Sequence, residues 1–437
     1  MPDPIIGRSL VQRRNLLRGF FDAAVAAAHP DQTLPMALPA PPEQGRIMLL
    51  STGKAGGSMM AAAVHHYHVT LGVSAGRIFG LGTARHGYEG QNPLIRVLSA
   101  GHPMPDAGSV AAAEQTLSIA EQARPEDMAI ILMSGGGSAN WIAPAGNITL
   151  AEKQAITKAL LRSGAHIGEI NCVRKHLSRI KGGRLAAKIA AHSVWTFAIS
   201  DVPGDDPSTI ASGPTVPDMT TQQDALRILH AYKIVMPDSV REVLADSANE
   251  TAKPGHPVFA RTRFEIVTRP KDGLDAAIKA AETAGYEVHS LGPDVEGEAR
   301  HVAVAHARMA LGLKAANKRA VILSGGELTV TIKGEGTGGP NQEYALALAI
   351  ALGGAKDITA ISGDTDGTDG GQGEPTDPAG AFIDETTLAR AHILRLDPQA
   401  HLANNNSTPF FAQLGDLLET GPTLTNANDL RAIMVDP

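Results

Sequence analysis

Cysteine is almost missing from the 437 residues: Cys172 stands alone, which excludes an intrachain disulfide and any cysteine-built zinc site and suits a reducing compartment. Aromatic residues are scarce at 4%, too few for a surface on which bases stack. An excess of positive charge is also lacking, since 38 Lys and Arg face 45 Asp and Glu for a net charge of −7. Neither nucleic acid nor an anionic membrane surface is an expected partner of such a chain. No apolar run reaches the roughly 18 charge-free residues of a membrane span. The segment from Leu10 to Ala28 has the basic start and apolar end of a secretory signal, but Arg18 and Asp22 interrupt it. Leu10, Leu17, Phe21, Ala24 and Ala28 share one helical face, so it reads as an amphipathic helix of a cytoplasmic protein.

What the chain does have is 43% apolar content with 46 Gly and 28 Pro, enough for two or three cores joined by tight turns. After a proline-rich connection at 30–45, short apolar runs alternate with glycine turns and helical patterns. Expected strands fall at 47–51, 95–98, 128–133, 194–199, 263–268, 287–291, 320–323, 328–332 and 357–361. Helices are expected from 58, 108 and 150, over 171–184, and at 272–284, 297–316 and 342–352. Such alternation signals βαβ units, with functional loops at the carboxyl ends of parallel strands. Composition changes at 225–255, which divides the chain into domains at 1–240 and 241–437, with the last segment free to pack back on the first domain.

Six segments carry chemistry. Gly53 and Lys54, in STGKAGG, follow a strand and open a helix, a place where backbone N–H groups and a lysine bind an anion. It is not a Walker A loop, because Ala55 follows the lysine. Ser134, Gly135, Gly136, Gly137 and Ser138 follow a buried strand and form a cradle for phosphate or carboxylate. Arg174, Lys175, Arg179, Lys181 and Arg184 concentrate charge on the helix read at 171–184; Lys175 and Lys181 are the selected anion ligands and His176 a weaker acid–base candidate. Asp201, Asp205 and Asp206 end another strand and can hold Mg²⁺ or orient a hydroxyl, and Asp366 in DTDGTDG offers the same chemistry. Finally, residues 334–339 match G-x-G-x-x-G formally, but the next helix starts late and the acidic residue is too distant for a dinucleotide fingerprint.

Taken in order, GKA at 53–55, AGHPMPD at 100–106, SGGGS at 134–138, VRKHLSRIKGG at 173–183, SDVPGD at 200–205, SGGE at 324–327, NQE at 341–343, TDG at 365–367 and TGPTLTN at 420–426 resemble the class II glycerate 2-kinases. Members of that family are often named hydroxypyruvate reductases in tartrate-degradation gene sets. The resemblance implies an α/β fold of two three-layer α/β/α domains, the first Rossmann-like with a parallel sheet, the second leucine-rich, and an active site in the inter-domain cleft. It implies ATP as co-substrate, Mg²⁺ or another divalent cation and D-glycerate as acceptor; a homodimer is one assembly open to the chain. Lys54, Asp201 and Lys175 are then the expected catalytic residues. Gly325, Gly326, Glu327, Asn341, Thr425 and Asn426 join the cradle and Lys181 as ligand-binding residues, and Asp205, Asp206 and Asp366 as metal ligands. Pro340 departs from the pattern, since many relatives carry Arg there, which would shift the load onto Lys54, Lys175 or Lys181. The rival activities are an NAD(P)H-dependent hydroxypyruvate reductase and a non-catalytic ligand binder.

Overall fold

The computed structural model describes residues 8–371 and 373–437, which divide into two compact units, one of residues 33–268 and one of 8–32 with 269–437. In the contiguous unit, strands β1 (Ile47–Thr52), β2 (Ile78–Arg85), β3 (Val97–Ala100), β4 (Met128–Met133), β5 (Ser193–Ile199) and β6 (Thr262–Thr268) form one parallel sheet in the order β3-β2-β1-β4-β5-β6. This is the doubly wound Rossmann order, and its direction of winding reverses between β1 and β4. Both strands are buried throughout because both faces are covered. Met48, Leu50, Ile131 and Met133 pack with Trp141 and Leu117 on one side. Ile47, Leu49, Ile130 and Leu132 pack with Met59, Met60 and Tyr67 on the other, as the strand period of two requires. A helical excursion between β4 and β6 has its own core around Leu160, Val173, Leu229 and Val240.

The second unit carries β7 (Glu287–Ser290), β8 (Gly297–Glu298), β9 (Ala320–Ser324), β10 (Leu328–Thr329), β11 (Ile358–Asp364), β12 (Gly380–Ile383), β13 (Leu417–Leu418) and β14 (Asp429–Val435). Its six-stranded sheet runs β13-β12-β11-β14-β9-β7, antiparallel except for β7 beside β9, and β8 pairs with β10 in a separate ribbon. The helices Leu10–Ala28 and Pro270–Thr283 cover one face through Leu17, Phe20, Phe21 and Leu274. Ala299–Ala315 and Pro340–Leu352 cover the other.

Several expectations need correction. The division falls after Thr268 rather than near 240, because the apolar positions of 263–268 complete the parallel sheet beside β5. The opening helix belongs to the second unit, and the last segment does not return to the first, since β14 lies between β11 and β9. The stretch 171–184 is helical only to His176, with Gly182 and Gly183 at φ of +59° and +77°. Part of the proline-rich connection, Pro30–Ala37, is helix with a proline in its first position. Residues 330–332 are not strand. No helix among the described residues is long and apolar enough to cross a membrane.

Candidate functional site

The glycine turns leave adjacent parallel strands, Thr52 of β1 being in register with Met133 of β4. They interlock. Lys54 donates its backbone N–H to the Gly135 carbonyl at 2.8 Å, and Ala55 donates to Ser134 Oγ at 2.9 Å. Gly53 sits at φ +106°, and a Cβ there would lie 2.4 Å from the Ser134 carbonyl oxygen, so only glycine lets the turns approach. Gly136, at φ +82°, faces the His102 ring and the Lys54 side chain, while Gly137 faces Thr52 and Ala211. Among the described residues no hydrogen bond uses the amides of Gly135 or Gly136, which leaves two successive donors in a backbone nest beside Lys54.

The loop after β5 starts at the same sheet edge, one strand beyond β4. Asp201 is half-buried and Asp205 holds φ +55°. Asp206 is committed to its turn, accepting from Ser208 N at 2.9 Å, Ser208 Oγ at 2.7 Å and Thr209 Oγ1 at 3.1 Å; burial pushes its carboxyl up, and these bonds hold it below the usual range. Ala211, Ser212 and Gly213 all adopt left-handed backbone, a strained run that persists where Ser212 Oγ meets Ser138 Oγ at 2.7 Å.

Of the basic segment Lys175 and Lys181 are buried, Arg174 and Arg184 half-buried, and Arg179 is exposed. Lys175 Nζ pairs with Asp218 at 3.4 Å, and His176 is fixed between the Cys172 carbonyl at 2.8 Å and Glu250 at 3.0 Å, which makes it a structural histidine. Lys181 is wholly buried and donates to the Ser138 carbonyl at 2.9 Å, gripping the cradle from behind. Burial, with Arg174 and Lys153 nearby, pushes its ammonium far below the usual lysine range. Sequence reasoning missed Lys153, whose Nζ donates to the Leu177 and Arg174 carbonyls at 2.7 and 3.3 Å and which burial pushes down to about 7. A lysine in an amphipathic helix that also carries Lys158 gives no sign of facing inward.

In the second unit, the ends of β9 and β11 and the start of antiparallel β14 share one edge, which gathers Gly325, Gly326, Glu327, Asp366 and Asn426. Much of this edge is internally fastened. Asn341 donates its amide to Asp369 and Asp429 at 3.3 and 2.7 Å and accepts from Ser362 Oγ at 2.6 Å. Thr425 Oγ1 bonds the Ala28 carbonyl at 2.6 Å. Asp366 accepts from Thr368 N and Oγ1, and Arg431 ties Asp429 to Ser324. Asp369 caps the helix Pro340–Leu352 by accepting from Asn341 N and Gln342 N at 2.9 and 2.8 Å; burial, together with Asp429, lifts its carboxyl to about 7 against the pull of those bonds. Pro340 takes the first helical position, where proline fits best.

The geometry agrees with the rejection of a dinucleotide fingerprint at 334–339. The turn at 334–339 directs the N–H groups of Gly334, Glu335 and Thr337 onto the side chains of Asn405, Asn404 and Asn406, and its glycines admit that asparagine loop rather than a pyrophosphate. Among the described residues no group of three or more His, Cys, Asp or Glu side chains could hold a metal ion.

Comparison with known proteins agrees with this architecture. Residues 16–245 match a domain of unknown function, DUF4147, and residues 320–429 match the MOFRL family. A protein of Agrobacterium vitis provisionally named hydroxypyruvate reductase is 45% identical over 97% of this chain and 95% of its own length. The D-glycerate 2-kinase of Thermotoga maritima is 36% identical, covering 93% of this chain and 94% of that one. A crystal structure of glycerate kinase from Thermotoga maritima superposes with a TM-score of 0.82 at 34% identity, covering 97% of this chain and 99% of that one. With both of its units matched in order and its full-length relatives well above 30% identity, the chain belongs to the DUF4147–MOFRL family of glycerate 2-kinases.

Proposed function

We propose that the protein transfers the γ-phosphoryl group of ATP to the 2-hydroxyl of D-glycerate, giving 2-phospho-D-glycerate and ADP. The observation that carries this reading is the cradle at the strand-order reversal, where two unused amides lie beside Lys54 and the buried Lys181 holds the Ser138 carbonyl. Phosphoryl transfer asks for little else: donors and cations on the transferring oxygens, and a carboxylate at the attacking hydroxyl. In this reading Lys54 neutralises the transferring group and the amides of Gly135 and Gly136 hold its oxygens. Asp201 orients the 2-hydroxyl and takes its proton as the new O–P bond forms and the bond to the ADP oxygen breaks. Lys175, held by Asp218, contributes charge from a distance. Gly325, Gly326, Glu327 and Asn426 offer the second unit's ligand-facing edge.

The donor chemistry fits Mg²⁺, which needs only one or two carboxylates when phosphates and water complete its shell. Asp205 is the hard-oxygen donor for it, because Asp201 serves the hydroxyl and Asp206 and Asp366 already serve their own turns. When bound, the ion neutralises phosphate oxygens. The reductase alternative lacks its dinucleotide turn for the reason given above.

The test is ADP release from D-glycerate, ATP and Mg²⁺, with NMR assignment of the phosphate to C2, run beside NADH and NADPH oxidation with hydroxypyruvate. Kinase turnover with the ester at C2 is the expected outcome; activity in the second assay alone would overturn the proposal.

A further inference from the structure

Buried charges in proteins are normally paired. The buried Lys153 and Lys181 and the half-buried Arg174 and Arg184 surround the turn that follows the helix Ile167–His176, yet among the described residues none has a carboxylate within 4.0 Å. Three of them are answered by main chain. Lys153 reaches the Arg174 and Leu177 carbonyls, Lys181 the Ser138 carbonyl, and Arg184 the Ser178 and Asn249 carbonyls. Some of these oxygens form the negative end of the helix, which a cation complements.

Arg174 is the exception. Its single protein contact runs from Nη1 to Asn171 Oδ1 at 3.5 Å, so most of its five donors have no protein acceptor, although burial is deep enough to lower its pKa. It lies close enough to Lys181 to oppose that residue's charge, and Lys181 grips Ser138 of the cradle. A planar fork of unused donors in a half-buried, cationic place fits a carboxylate better than a lone phosphate oxygen does.

Resting on the function proposed above, we infer that Arg174 binds the carboxylate of the hydroxy-acid substrate in bidentate fashion, with Lys153 and Lys181 supplying the surrounding positive potential. The site thereby selects 2-hydroxy acids over neutral polyols of the same length.

Steady-state kinetics of the whole protein with Arg174→Met test this. KM for D-glycerate should rise at least tenfold, KM for ATP should stay within twofold, and Arg174→Lys should recover part of the loss. Glycerol, which lacks the carboxylate, should react equally poorly with both proteins. An unchanged glycerate KM, a loss confined to kcat, or an equal loss toward ATP each overturns the assignment. Thermal shift keeps this separate from the failure of the kinase reading: even without turnover, D-glycerate should raise the Tm of the native protein and not of the Met variant, and no rise in the native protein counts against the inference. Should the Met variant not fold by circular dichroism, Arg174→Gln and Arg174→Lys carry the same comparison.

Discussion

Gly53 and Lys54 are neighbours with opposite duties, one permitting the cradle and the other acting in it. Replacing Gly53 by Ala puts a Cβ 2.4 Å from a backbone oxygen that cannot swing aside, at a φ that L-residues rarely adopt. Gly53→Ala should therefore lower both Tm and turnover, read by calorimetry and ADP release. Lys54→Ala removes only a half-buried side chain, so kcat should fall at least tenfold while Tm stays within a few degrees. Both residues were legible in the sequence because a glycine run after an apolar strand has few other uses. Lys175 and Lys181 were legible as an anion-attracting cluster but not in their arrangement. Charge along a sequence says nothing of burial, and the partners that immobilise them, Asp218 and the Ser138 carbonyl, are tens of residues away. Asn341 shows the converse: its polarity reads as ligand binding, and its three bonds are all internal.

The helix Pro340–Leu352 illustrates what an element owes to distant chain. Its start is capped by Asp369, whose carboxyl rises from 3.8 to about 7 through burial and the nearby Asp429. Between these values the folded unit keeps a proton that the unfolded chain releases, so stability of this unit falls as pH rises from about 4 to 7. Asp369→Asn should flatten that slope in urea titrations of the second unit. Lys153 carries the opposite sign: burial brings it from 10.5 to about 7, the unfolded chain then holds the extra proton, and stability of the parallel-sheet unit should rise from about pH 7 to 10. Lys153→Met should remove this rise. Strands β1, β4, β5 and β9 were readable as apolar runs bounded by turns, and the helix Leu150–Arg162 by the helical pattern that starts at 150. The helix at 171–184 was overextended because Leu177 and Ile180 continue an apolar period after the backbone has turned away, to a bridge between Ser178 and Pro144.

For the molecule as a whole, the doubly wound sheet followed from the alternation of strand and helix signals, whereas the boundary did not. A compositional change at 225–255 marks the helical excursion, and β6, which closes the parallel sheet, comes after it. Residues 33–268 expressed alone should melt cooperatively, while 1–240, lacking β6, should not. Deleting residues 8–28 should unfold the second unit and spare the first, despite their place at the front of the chain. Leu17, Phe20, Phe21 and Ala24 are buried in the second unit's core, and losing them removes roughly 5 kcal/mol or more, comparable to a domain's whole stability. Separate melting of the two units by hydrogen exchange checks both outcomes.

The interruption of the second unit by the first also sets a timetable for biosynthesis. The helix Leu10–Ala28 leaves the ribosome with its greasy stripe uncovered, and its docking helix Pro270–Thr283 follows about 240 residues later, a delay of roughly 12 to 50 s at ordinary translation speeds. Throughout that interval the nascent chain presents a ready target for a holding chaperone.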